Sequence, residues 1–218
     1  MAVATCAIGT FATADVIMDQ IGPDDGSWLT GGIAGSQDFD AYAIYDIVAI
    51  DDFTIGSSMN LTSASMVLAG WNGYAGTAGV MGYTVSIFSS LEAAGNSIYG
   101  DVVSEYFDTT SVSGSWGGVG DLITFDLSGI ELAAGSYWIG ITPFNGFAAN
   151  GQTGVATSTE GDGVSAQANP AGAFGFGPYQ MTDANYAYSL EGDLGAVPAP
   201  GALALLGLAG IASRRRRK

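Results

Sequence analysis

Alternation with a period of two constrains this chain most. In Tyr83-Thr84-Val85-Ser86-Ile87-Phe88, the apolar Tyr83, Val85 and Ile87 fall on one side of an extended backbone, with Thr84 and Ser86 on the other. Half-buried strands carry this pattern because successive side chains point to opposite faces. The same rule sets Ile123, Phe125 and Leu127 against Thr124 and Asp126. It also groups Tyr137 with Ile139 and Ile141, Ala64 with Met66 and Leu68, and Tyr186 with Tyr188 and Leu190. The run from Ile44 to Ile55 is more continuously apolar and predicts a central pair of strands. Turn signals at Asn72-Gly73, Ser128-Gly129 and Asn145-Gly146 punctuate the runs.

These segments predict an all-β chain of about eight short strands, an antiparallel β-sandwich with jelly-roll-like winding. It occupies Asp15 to Asp193, and helix is expected only as short turns near Leu91 to Ala94. The 34 glycines follow no G-X-Y period, which excludes collagen.

Charge is divided between two blocks. All 21 acidic residues lie between Asp15 and Asp193, and the five basic residues are the last five, Arg214 to Lys218. A body without cations cannot neutralise phosphates, so nucleic acid is excluded as a partner. Anionic lipid surfaces repel it as well. Neutral sugars, divalent cations and cationic partners remain, and the charge also keeps copies apart in solution.

The missing residue types remove most catalytic chemistry. The chain has no histidine, hence no Ser-His-Asp triad and no imidazole metal ligand. Cys6 is the only cysteine, so no disulfide forms within the chain and no thiol lies in the body. Without lysine or arginine upstream of Arg214 there is no Schiff base or phosphate clamp there. Paired carboxylates are the acid-base chemistry left, as in glycoside hydrolysis. Glu92, Glu105, Glu131 and Glu160 are candidates, but none sits in a local motif. No catalytic residue is therefore assigned, and the chain is not read as an enzyme.

Two kinds of binding site are open. Calcium takes six to eight oxygen ligands, and oxygens are abundant at Asp38 and Asp40, at Asp51 and Asp52, and around Asp19, Asp24, Asp25, Glu160 and Asp162. Asp38-Phe39-Asp40 puts both carboxylates on one side when extended. No segment fits an EF-hand loop, and Asp favours turns without any metal. For sugars, Trp71 and Tyr74 share one Gly-rich loop, and Phe174, Phe176 and Tyr179 share another. Exposed rings stack on the apolar faces of sugars, whereas rings in loops also serve to cover a core. Trp138, inside a strand, is expected in the core.

The two ends read as addresses. Residues 2–12 are small and apolar, and Ala12-Thr13-Ala14 gives an A-x-A pattern before Asp15, so 1–14 reads as a truncated signal peptide lacking its positive region. At the other end, Leu194 to Ser213 is uncharged. A helix starting near Pro200 would hold about 14 residues and span roughly 21 Å, a short crossing of a hydrocarbon core about 30 Å thick. Arg214 to Lys218 would then stay on the cytoplasmic side.

Val197-Pro198-Ala199-Pro200, the apolar stretch Gly201 to Ala212, and the cluster Arg214, Arg215, Arg216 and Arg217 with Lys218 form a three-part order. This order resembles the PEP-CTERM sorting signal of bacterial exported proteins, with Ala199 where that family usually has Glu. The strand series from Asp51 to Ile141 also looks like the β-sandwich ectodomains common among such proteins. The resemblance implies processing near the prolines by an exosortase, at least transient membrane contact through the C-terminal helix, and delivery to the cell surface or extracellular matrix. The expected role is structural or adhesive, within a polysaccharide-rich layer. A calcium-dependent carbohydrate-binding module is the alternative, and a carboxylate-dependent glycan hydrolase or lyase the third.

Overall fold

The computed structural model describes residues 14–110 and 112–194. The expected signal peptide with Cys6, and the sorting tail with Val197, Pro198, Ala199, Pro200 and Arg214 to Arg217, lie outside the described residues.

The strands run in the order β1 (Asp15–Asp19), β2 (Leu29–Gly35), β3 (Asp38–Phe39), β4 (Val48–Ile55), β5 (Met59–Trp71), β6 (Val80–Phe88), β7 (Val103–Phe107) and β8 (Val112–Trp116). They continue with β9 (Gly120–Asp126), β10 (Glu131–Leu132), β11 (Gly135–Asn145), β12 (Gln152–Ser158), β13 (Ser165–Ala168), β14 (Tyr179–Thr182), β15 (Asn185–Tyr186) and β16 (Tyr188–Leu194). Two short helices, α1 (Leu91–Asn96) and α2 (Phe147–Asn150), interrupt them. These strands form two sheets, an all-β sandwich. One sheet has nine strands around the path β1-β16-β5-β12-β15, and the other has seven around β14-β13-β4-β11-β6-β7. Pairing is antiparallel except between β3 and β11. The chain passes repeatedly between the sheets: β4 to β5, β5 to β6, β7 to β8, β10 to β11, β11 to β12, β12 to β13 and β14 to β15 are all crossings.

The predicted alternation sets the inner faces. Ala64, Met66, Leu68, Ile123, Phe125, Tyr186, Tyr188 and Leu190 of the first sheet meet Tyr83, Val85, Ile87, Ile139 and Ile141 of the second in one buried cluster. Tyr83 and Phe125 touch edge-on across it, with ring centroids 5.4 Å apart. Each fully buried Val, Leu, Ile, Phe or Met there contributes about 1.5–3 kcal/mol. The described residues contain no basic side chain, so no side-chain ion pair supports this core.

The apolar run from Ile44 to Ile55 is not a strand pair. It is one central strand, β4, preceded by a single helical turn at Ala43–Tyr45. Ala49 and Phe53 enter the core between the sheets, while Val48 and Ile50 join Phe88, Ala94, Ile98, Ala166 and Ala168 in a second cluster on the outer face. A strand buried on both faces reads as continuous apolar sequence. Helix α1 helps cover that outer face. Ser90 caps it by accepting from the backbone N–H of Ala93 at 3.2 Å, and Glu92 sits favourably in its first turn. Trp138 packs half-buried against this outer cluster and is not in the central core. The terminal strands lie side by side, with Asp15 opposite Gly192 in the β1–β16 ladder.

Candidate ligand cleft

One concavity is lined by rings and amides. Its first part, about 270 Å³, is walled by Phe39, Tyr42, Tyr45, Phe147, Gln152 and Phe174. Its second part, about 380 Å³, is lined by Ile33, Gly35, Gln37, Phe39, Ile47, Trp71, Gln152, Thr153, Gln167, Phe174, Phe176 and Gln180. Phe39, Gln152 and Phe174 belong to both parts, so the two parts adjoin along those side chains. No lining residue is charged, although the body carries all 21 acids of the chain.

Sheet parity aims several of these side chains. Trp71 at the end of β5 is the cross-strand partner of Gln152 at the start of β12. Gln167 on β13 is likewise the partner of Gln180 on β14. Directly opposed residues share a face, so each pair presents its side chains together. Gly151 (φ +64°) brings the chain into β12, and a Cβ there would lie 2.5 Å from the backbone N of Tyr74 and 2.6 Å from the carbonyl of Asn72. Only glycine permits that approach.

The rings come from irregular segments tied down by buried amides. Asn169 is fully buried after β13. Its Nδ2 donates to the carbonyl of Asp46 at 2.7 Å, and its Oδ1 accepts from the backbone N–H of Phe174 at 3.0 Å. The Phe174 loop is thereby fastened to the helical turn that carries Tyr45. Tyr45 and Phe174 meet edge-on at 5.4 Å, and Phe39 stands 6.4 Å from both Tyr45 and Phe147. Phe39 is held through its backbone N–H, which donates to Asp46 Oδ1 at 2.9 Å. Burial, with the Asp38 charge nearby, pushes the Asp46 carboxyl up to about 6 despite that bond. Tyr42, Tyr45, Phe147 and Phe174 still keep between 37% and 49% of their surface exposed.

The amides divide into committed and free groups. Gln37 is buried and spent: its Nε2 donates to the carbonyl of Asn145 at 3.1 Å and its Oε1 accepts from the Thr153 N–H at 2.8 Å. Gln152 Oε1 accepts from Asn72 Nδ2, which leaves Gln152 Nε2 without a partner among the described residues. Gln167 Nε2 donates to the carbonyl of Gly35 at 3.3 Å, leaving its Oε1 open, and Gln180 is exposed. The cleft therefore offers both donors and acceptors beside aromatic faces.

Of the five rings offered for sugar binding, Trp71, Phe174 and Phe176 line this cleft together. Tyr74 does not. Its ring lies over Gly70, in space the missing Cβ leaves open, and packs half-buried on the central core. Its hydroxyl is buried without a partner among the described residues, and burial raises its pKa. Tyr179 does not either, because it packs on the outer cluster with its hydroxyl 3.5 Å from Glu92. Its neighbour Gln180 takes the cleft side instead. The glutamines escaped the sequence reading, although four of the five in the chain converge here.

The carboxylates expected to hold calcium separate into three places. Asp38 and Asp40 line a depression with Tyr99 and Tyr106, and Asp38 accepts from the Tyr99 hydroxyl at 2.7 Å. Asp51 and Asp52 point to opposite faces of β4. Asp51 is fully buried, accepting from Gln20 Nε2 at 3.0 Å and from the Tyr186 N–H at 2.8 Å. Burial pushes its carboxyl up to about 7 against those bonds. Asp52 lines a slit with Asp19 and Asp162, and burial followed by the Asp162 charge raises its pKa. Among the described residues no group of three or more acidic side chains is arranged to hold a metal ion. Glu92, Glu105, Glu131 and Glu160 are exposed on four separate elements or loops. No helix among the described residues is long and apolar enough to cross a membrane. Neither a protein-family model nor a curated protein matches the chain.

Proposed function

We propose that this chain is an exported adhesive protein of the cell surface or extracellular matrix, and that its β-sandwich holds a neutral saccharide in the ring-and-glutamine cleft. The carrying observation is the cleft's uncharged lining on a body whose other ionisable side chains are carboxylates and tyrosines. Rings present apolar faces on which sugars stack, and free amide groups at Gln152, Gln167 and Gln180 suit hydroxyls. Acidic polymers are repelled by the surrounding charge, so the selection is for neutral chains.

The rest of the reading comes from sequence. The Pro-x-Pro element, the apolar stretch and the arginine cluster support sorting by a PEP-CTERM-like route, with an exosortase as processing partner and a short C-terminal helix in the membrane for part of the protein's life. The repeated crossings between sheets support a jelly-roll-like winding. The donors at the cleft are amides, so saccharide binding is expected without calcium.

The test is titration calorimetry of the purified full-length protein, in mild detergent, against neutral and acidic polysaccharides, with and without a chelator. Saturable binding of a neutral polymer, weakened by Trp71→Ala, supports the proposal. Failure to bind any neutral polymer removes it, and binding that vanishes with chelator replaces it with the calcium-dependent reading.

A further inference from the structure

The two parts of the cleft differ in chemistry, and that difference narrows the ligand. The first part is almost wholly aromatic, with Gln152 as its only amide. A sugar hydroxyl placed there meets mostly aromatic faces, with Gln152 and the Tyr42 and Tyr45 hydroxyls as the polar side-chain groups to receive it. A methyl group loses nothing by entering and gains from leaving water. The second part carries the glutamines and suits hydroxyls. Gln152 lines both parts, and its Nε2 is free among the described residues because Asn72 occupies its Oε1.

Resting on the saccharide reading above, we propose that the ligand is an N-acetylated neutral sugar. Its acetamido methyl enters the ring-lined part between Phe39, Phe147 and Phe174. The acetamido carbonyl accepts from Gln152 Nε2, and the sugar's hydroxyls turn to Gln167 and Gln180. Gln152 is then the specificity residue, since it receives the polar half of the substituent at the point where the lining changes from aromatic to amide.

The discriminating probes are a matched pair of β-1,4-linked oligosaccharides of equal length, one built of N-acetylglucosamine and one of glucose. They share a backbone and differ at the C2 substituent. Titrated into the full-length protein, the N-acetylated oligomer is expected to bind about tenfold more tightly or better, the scale of one well-placed neutral hydrogen bond with an apolar contact. Gln152→Ala is expected to erase most of that preference. Phe147→Ala, at a ring already 40% exposed, provides a second variant that spares the core and is expected to lower the preference several-fold. Equal or tighter binding of the glucose oligomer overturns the acetamido assignment and leaves the saccharide reading standing. A preference that survives both variants also overturns it, while binding of neither oligomer nor any other neutral polymer overturns both.

Discussion

Asn169 Nδ2 donates to the carbonyl of Asp46 across 2.7 Å, joining the segment after β13 to the turn before β4. This contact, with the bond that Asn169 Oδ1 accepts from Phe174, makes two irregular segments behave as one wall. Asn169 is fully buried, and Asn169→Ala leaves both of its half-buried backbone partners without a mate. It is expected to destabilise the protein by about 1–3 kcal/mol and to weaken saccharide binding even where the variant remains folded. Chemical denaturation and calorimetry on the same preparation separate the two effects. Unchanged affinity in the folded variant would show that the Phe174 loop needs no fastening.

The cleft and the outer face of the second sheet should respond differently to loss of a ring. Trp71→Ala is expected to reduce saccharide affinity by about tenfold, in line with an aromatic contact worth roughly 0.5–1.5 kcal/mol beyond its buried area. Tyr179→Ala, on the outer cluster, should leave affinity unchanged while lowering the melting temperature. An affinity loss on Tyr179→Ala equal to that of Trp71→Ala would place the ligand on the wrong face.

Tyr74 carries a buried hydroxyl with no partner among the described residues. Tyr74→Phe removes the orphan oxygen and keeps the ring over Gly70. The expected change is between zero and a stabilisation of about 1 kcal/mol. A loss of stability measured by denaturant unfolding would mean that this hydroxyl is satisfied in solution.

Acidity should stabilise the fold. Asp51 and Asp46 have folded pKa values pushed up to about 7 and about 6, above the ordinary carboxylate range. The folded state therefore holds these protons more tightly than the unfolded state between roughly pH 4 and pH 7. Their contribution is greatest near pH 4 and is lost as pH rises through that window, with a slope of at most about 1.4 kcal/mol per pH unit for each group. Asp52 and Asp121, whose values are also raised, act in the same sense, while Asp25, Asp101 and Asp126, whose values are lowered, act in the opposite one. Asp51→Asn is expected to flatten the dependence and to lower stability, because both carboxylate oxygens accept in the fold, from Gln20 Nε2 and from the Tyr186 N–H, and an amide offers one acceptor oxygen. Denaturation midpoints from pH 4 to pH 8 decide this, and a stability that climbs across the window would sink it.

Much of the sandwich was legible because one physical rule governs it. The inward residues of Tyr83–Ile87, Ile123–Leu127 and Tyr186–Leu190 follow from alternation, and each set lies in the central core. The rule stops working where both faces are buried. Val48, Ala49 and Ile50 are all buried, so nothing in their pattern told a single strand from two. The cleft was half legible. Trp71 and Phe176 advertised themselves as rings among glycines, but Tyr74 and Tyr179 had the same signature and went elsewhere, one onto Gly70 and one across the parity of β14. Gln37, Gln152, Gln167 and Gln180 are scattered through the chain and meet only when the segment after β2 assembles with β12, β13 and β14. No local pattern marks a site that long-range pairing creates.

The ladder that joins the terminal strands has a mechanical consequence. β16 is bonded to β5 from Met66 down to Met59 and to β1 from Asp19 to Asp15. Antiparallel hydrogen bonds run perpendicular to their strands. If the chain is tethered through its carboxyl end, tension enters the body at Leu194, at the foot of both ladders. Pulled along the strand axis, the rungs on both sides of β16 share the load and must fail together in shear. Pulled across it, they peel one at a time. Such a body resists a tug along its tether far better than one from the side.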